Sequence, residues 1–274
     1  MKKLFKTLVT LALCATLGVT ATSLASCKDD PYTITVGASP TPHADILKDA
    51  VAKELEKDGY KLNVIEYSDY VQPNLALEAG DLDANYFQHN IYLKGFNDDH
   101  HTHLTAVANV HYEAFGIYRG SYTEGALTDI LENSKVLVPN DPTNEARALF
   151  LLQDAGLITL NANATYNGAT KNDIANNPKN LKIEEIEAAQ IPLSLPDAAI
   201  GVVNGNYALQ NNLGTAVRYE NIPASEQEQY VNVIAVKAGN EESEKTKALK
   251  KAILSEAVKT YVQQKYNGSV VCVF

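Results

Sequence analysis

The residues best placed to do chemistry sit where strands hand over to helices. In Val138-Pro139-Asn140-Asp141-Pro142-Thr143-Asn144-Glu145-Ala146-Arg147-Ala148-Leu149 a strand reads to Pro139. A tight Asn-Asp-Pro turn follows, then a helix with proline in its first turn. Such a junction aims backbone N–H groups and the helix dipole at the crevice beyond the strand's C-terminal end. Asn144 and Arg147 are three apart and share a helix face. Arg147 is flanked by Ala146, Ala148 and Leu149, so its guanidinium is expected to be partly buried and to require an anion. A bidentate carboxylate fits that fork. It belongs either to a ligand or to an acid elsewhere in the chain, and the sequence leaves both open.

Two further junctions follow the same logic. A strand over 198–203 ends in Asn204-Gly205-Asn206-Tyr207, and Asn232 interrupts the apolar run 231–236. An amide offers donor and acceptor together, which suits the ammonium and carboxylate of a zwitterion; each Asn serves equally well as a turn or cap residue. Asn85-Tyr86-Phe87-Gln88-His89-Asn90-Ile91-Tyr92 adds aromatics, a His and amides. Aromatic walls accept an apolar or polarizable side chain, a thioether included, although core packing before a helix N-terminus explains Tyr86. Asp98-Asp99-His100-His101-Thr102-His103 has metal-ligand chemistry and gives a rival reading, a zinc-type receptor. Adjacent residues point apart, however, so such a site needs distant partners such as His89 or His111. No G-x-S-x-G, H-E-x-x-H, C-x-x-C, P-loop or G-x-G-x-x-G is present, which points to binding without a cofactor rather than to an enzyme.

The elements that must position these residues alternate. Strands are expected over 33–38, 61–67, 84–87 and 104–118, with helices over 44–57 and 71–79 between them. A second unit reads as a short helix over 127–132, a strand over 135–139 and a helix over 143–155 stopped by Gly156. Strands over 181–187 and 198–203 continue it, and a helix opens at Tyr207. Residues 161–180, rich in Asn and Gly, read as a loop around one short helix. A return strand over 231–236, helices over 242–254 and 256–265 and an apolar tail over 269–274 complete the chain. This pattern implies an α/β fold of two lobes around a cleft, each a mostly parallel sheet flanked by helices.

The N-terminus fixes where such a protein works. Lys2, Lys3 and Lys6 precede an uncharged apolar run and then Leu24-Ala25-Ser26-Cys27, the layout of a secretory signal. These four residues resemble the bacterial lipobox, after which Cys27 becomes residue one and carries palmitate-type acyl chains. About 250 residues then remain, enough for one large or two medium domains. The signal takes three lysines, so 20 basic residues face 33 acidic ones, a net charge of −13. That balance disfavours nucleic acid and anionic lipid and leaves the anchor as the one membrane contact. Cys14 leaves with the signal and Cys27 is acylated, so Cys272 has no cysteine to pair with.

Several segments together resemble the NlpA-type methionine-binding lipoproteins, the substrate-binding subunits of methionine ABC importers. They are Asp69-Tyr70-Val71-Gln72-Pro73-Asn74, Gly80-Asp81-Leu82-Asp83-Ala84-Asn85 with Phe87-Gln88-His89, the 139–149 segment, Asn177-Pro178-Lys179-Asn180-Leu181 and Asn204-Gly205-Asn206-Tyr207-Ala208. The resemblance runs from about residue 34 to 268. It implies a two-lobed periplasmic-binding-protein fold with two crossovers that closes on an amino acid and delivers it to a permease and its ATPase on the extracytoplasmic face of the membrane. On this basis the chain divides into a signal peptide (1–26), a lipidated tether (27–32), lobe 1 (33–115), lobe 2 (116–228) and a return to lobe 1 (229–274), with hinges near 114–120 and 218–230. Carried over by position, Arg147 anchors the ligand carboxylate. Asn144, Asn204 and Asn232 are polar contacts, and Tyr67, Phe87, His89 and Tyr92 wall the thioether. Asn90-Ile91 stands where the family usually has a proline before the tyrosine, and Tyr67 where Phe is commoner.

Overall fold

The computed structural model describes residues Asp30 to Phe274. The signal peptide, Cys27 and the start of the tether lie outside the described residues. Strands β1 (Thr33–Ala38), β2 (Lys61–Glu66), β3 (Ala84–His89) and β4 (Leu104–Glu113) come first, separated by helices. Between β1 and β2 the chain makes π-type turns at Pro40–Ala44 and Leu47–Val51 before α1 (Ala52–Lys57). Helices α2 (Gln72–Ala79) and α3 (Asn90–His100) flank β3. The chain then makes β5 (Gly116–Arg119), β6 (Lys135–Pro139), α4 (Pro142–Asp154), the small hairpin β7 (Thr159–Leu160) and β8 (Ile174–Asn176), and β9 (Lys182–Ile186). After α5 (Ile191–Ser194) come β10 (Ile200–Val203), α6 (Gly205–Gln210), β11 (Arg218–Tyr219) and α7 (Ala224–Gln227). The chain closes with β12 (Asn232–Lys237), α8 (Glu244–Ile253), α9 (Glu256–Tyr266) and β13 (Val270–Cys272).

These strands form two large sheets. The first has the order β13-β4-β12-β3-β1-β2 and the second β11-β5-β10-β6-β9. The two-lobed α/β architecture is as expected, but the sheets are mixed rather than mostly parallel. β1 pairs in parallel with β2 and β3, and β6 with β9 and β10. β12 is antiparallel to both β3 and β4, β13 to β4, and β5 to both β10 and β11. The cause is the connectivity. Helical crossovers enforce parallel neighbours, whereas β12 re-enters the first sheet from the opposite direction after the excursion through the second. The expected strand over 104–118 is two strands in two sheets, broken at Ala114-Phe115.

Alternation and capping explain the local choices. Ile34, Val36 and Ala38 on one face of β1 are fully buried against Leu249, Ile253, Val258 and Val262 of α8 and α9. Ser243 and Ser255 cap these two helices by accepting from Thr246 N and Val258 N, the ordinary service of an N-cap hydroxyl. The second sheet has its own core, with Val136, Val138, Leu149, Leu152 and Ile200 buried together. Each lobe is thus self-supporting, and only two segments of chain join one sheet to the other, after Glu113 and after Tyr219.

Candidate functional site

Between the two sheets lies a small cavity of about 30 Å³. It is lined by Tyr70, Phe87, Gln88, His89, Tyr92, Glu113, Phe115, Asn144, Arg147, Asn204, Gly205, Asn206 and Asn232. Seven of the eight residues expected from sequence are therefore together. Tyr67 is apart: its ring covers β1 at Gly37 beside Leu82. Tyr70 supplies the wall instead. Asp69 Oδ1 accepts from Val71 N and Gln72 N, both at 2.8 Å, and this turn at the start of α2 carries Tyr70 toward the cavity.

One side of the cavity is aromatic. The Tyr70 ring centroid lies 5.7 Å from both Phe87 and Tyr92, and Phe87 and Tyr92 are 6.1 Å apart, edge to face. Tyr207 stacks on Tyr70 from behind at 5.0 Å. A buried amide network fixes this group: Asn74 Nδ2 donates to Gln88 Oε1, and Asn74 Oδ1 accepts from Asn85 Nδ2 and Gln88 Nε2. These amides, prominent in the segments that carry the family resemblance, lock the first turn of α2 onto β3. Each is paired, as a buried amide must be.

The other side is polar. Asp141 caps α4: its Oδ1 accepts from Asn144 N and Nδ2, and its Oδ2 from Asn144 Nδ2, all at 3.0 Å. Asn144 Oδ1 in turn receives His89 Nε2 at 3.2 Å, while His89 Nδ1 accepts from Tyr92 N. His89 therefore carries its proton on Nε2, and burial holds it neutral, pulling its pKa down to about 3. Asn144 is thus committed to protein partners across the cleft. Tyr70 O–H to Asn206 Oδ1 at 2.6 Å and Tyr207 O–H to Ser68 O at 3.1 Å also bridge the two halves, so the lobes are closed on one another.

Arg147 is paired with an acid of the chain, one of the two possibilities raised by its sequence setting. It is 3% exposed and forms an ion pair with Glu220, which is 4% exposed. Nε donates to Glu220 Oε2 at 2.7 Å, and Nη2 to Glu220 Oε1 and to Glu113 O. Its guanidinium lies 4.0 Å from the Phe115 ring centroid and 4.6 Å from that of Tyr230. Burial opposes the charge, but the Glu220 carboxylate more than offsets it and raises the Arg147 pKa. The bonds to Glu220 and Glu113 use Nε and Nη2, and Arg147 also lines the cavity.

Close packing at the polar side depends on Gly205. A Cβ there would stand 2.8 Å from Glu113 Cβ and 2.9 Å from Glu113 Oε2, so only glycine lets α6 start this near β4. Sequence reasoning missed Glu113, Asn206, Tyr70 and Phe115. The His-rich segment 98–103 stands elsewhere, at the end of α3. His100 stacks on Phe96 at 4.1 Å, and His103 lies 3.4 Å from Glu78, so these two imidazoles serve different neighbours.

Residues 34–274 match the family model described as NlpA lipoprotein. This chain belongs to that family. A methionine-binding lipoprotein of Bacillus subtilis, MetQ, is 37% identical over 243 residues, covering 87% of each chain. A solved Burkholderia cenocepacia nutrient-binding protein bound to methionine is 41% identical, with a TM-score of 0.81 over 88% of this chain and 100% of that one. A solved Ruminococcus gnavus protein is 49% identical, with a TM-score of 0.84 over 89% and 100%. Among the described residues no helix is long and apolar enough to cross a membrane.

Proposed function

We propose that this protein is a lipid-anchored receptor that captures a free amino acid between its lobes and presents it to the permease and ATPase of an ABC importer. The amino acid is methionine or a close relative such as a methionine dipeptide. The observation that carries this reading is an aromatic box set beside a polar group around one cavity between the sheets. Phe87, Tyr92 and Tyr70 take the thioether, whose sulfur favours aromatic edges. The Arg147 guanidinium and the Asn206 Nδ2 donor, which has no partner among the described residues, take the carboxylate. Asn204 and Asn232 complete the polar side, and the His89–Asn144 bond closes the wall between the halves.

Residues 33–115 and 229–274 then act as one lobe and 116–228 as the other, with hinges at the two crossovers, and closure is what the importer reads. The role is capture rather than catalysis. Methionine-binding relatives of this similarity favour it over a metal receptor built on segment 98–103.

Ligand at 100 times its Kd stabilises a folded protein by about 2.7 kcal/mol. Methionine is therefore expected to raise the melting temperature by a few degrees. Circular dichroism follows this, since the chain has no Trp. No shift with methionine, its dipeptides or any common amino acid would remove the reading. Anchoring is separable: Cys27→Ser is expected to move the protein from the membrane to the soluble fraction with unchanged melting, and persistent membrane association would disprove the anchor.

A further inference from the structure

A second hollow lies against the crossovers, on the side away from the cleft. It holds about 600 Å³ of free space, against about 30 Å³ in the cleft cavity. The first crossover is the partition between the two. Side chains alternate along it: Glu113 and Phe115 line the cleft cavity, whereas Tyr112 and Ala114 line the hollow. Gly205 at the start of α6 lines both. A Cβ there would come within 3.2 Å of Ala114 O as well as meeting Glu113. At Gly205, then, α6 bears directly on the crossover, with free space to either side of the contact.

Both halves of the molecule face this hollow. From the side of the first sheet come Tyr112, Ser269 and Val271, with Val271 of β13 in register beside Tyr112 of β4. From the side of the second come Tyr118, Tyr219 and, on α6, Leu209. The rim is wet: Val271 is 49% exposed and Tyr219 46%. No charged side chain lines the hollow, so its walls can approach without stripping a charge of water, which would be costly. The front differs. There Tyr70–Asn206, Tyr207–Ser68 and His89–Asn144 hydrogen bonds join the two halves, and little free space is left.

We infer that the hollow is the counter-space of the hinge: it is widest when the cleft is shut and is used up as the cleft opens. The inference rests on the reading of a cleft that closes on its ligand. Two bodies turning about a partition cannot separate on one side without approaching on the other, and packed side chains do not compress. Opening the cleft carries α6 and β11 toward β13, so the hollow sets how far the cleft can open. Bulk placed in it opposes the open form alone. The closed, binding-competent fraction of the unliganded protein then rises, and the apparent affinity for ligand rises by the same factor.

Val271 is the position to enlarge, because it is half exposed and lines the hollow but not the cleft cavity. Along Val271→Ala, wild type, Val271→Phe and Val271→Trp, calorimetric affinity for methionine should rise with side-chain size. Val271→Trp should bind about three- to tenfold more tightly than wild type, a gain open to a protein whose closed form is a minor state before ligand arrives. Val273→Trp is the control. Val273 is 45% exposed on the same tail but does not line the hollow, and this variant should bind as wild type does. The chain has no Trp, so the introduced indole reports on its own surroundings. Methionine should shift its emission in Val271→Trp and leave it unmoved in Val273→Trp. Affinity that does not rise with size at 271, or that rises equally at 273, overturns the counter-space, and so does an indole at 271 that methionine leaves unmoved. Should Val271→Trp not fold, the affinities of Val271→Phe and Val271→Ala decide the matter. If the wild type binds neither methionine nor any other amino acid, the cleft assignment falls and this inference with it.

Discussion

Arg147→Ala should weaken methionine binding by roughly two to four powers of ten, the equivalent of about 3–5 kcal/mol for a buried charge stripped of its partner. The same substitution should also destabilise the unliganded protein. Glu220 is 4% exposed and would keep only Tyr112 O–H and Phe115 N as donors, at 2.7 and 2.8 Å. Breaking a buried pair from one side typically costs about 3–5 kcal/mol, a large share of the 5–15 kcal/mol that holds an ordinary domain folded. The two effects separate in the double variant Arg147→Ala/Glu220→Gln. Removing the orphaned charge should restore much of the stability seen in urea unfolding, yet leave binding as weak as before. Arg147→Lys should recover little of either, because one ammonium cannot serve the Glu220 fork and the cavity together. A folded double variant with near-native affinity for methionine would make Arg147 a structural ion pair only, with the carboxylate held elsewhere.

That duality shows where sequence reading stops. The strand-turn-helix logic around Pro139 and Asn144 was legible because proline, the Asp141 cap and the Ala-rich helix are local signals. The Glu220 partner was not, since it lies 73 residues away and no local pattern marks an acid so distant in the chain. Helix α3 was half legible. A helix N-terminus was legible within residues 85–92, but no helix was expected before the strand at 104, because Gly95 and the Asn97-Asp98-Asp99 run hid it and its last turn read as a His-rich segment. The break at Ala114-Phe115 left no trace in hydropathy because β4 and β5 are both largely buried. That same break sets Glu113 at the end of its strand, facing the cleft. Mixed pairing escaped for a similar reason: strand direction follows from the return of the chain, which alternation alone does not encode. Tyr67 and Tyr70 are three residues apart, and only the Asp69 turn decides which ring enters the cavity.

The aromatic side of the site yields the second large effect. Phe87→Ala removes a ring that is 4% exposed and stands 5.7 Å from Tyr70 and 6.1 Å from Tyr92. In the complex that ring would meet the ligand's side chain, so its loss should weaken methionine by about 2–3 kcal/mol, or roughly thirty- to a hundredfold. Alanine or glycine leave the box unfilled and should lose far less, because their binding rests on the polar side that Phe87 does not form. The comparison also controls for damage to the fold. The Asn74–Asn85–Gln88 amides hold β3 to α2 independently of the ring, so circular dichroism should report a folded variant with reduced selectivity. Calorimetry with methionine, alanine and glycine on both proteins measures this directly. An equal loss for all three ligands would show that Phe87 shapes the cleft as a whole, and the thioether would then have to lie against a different wall.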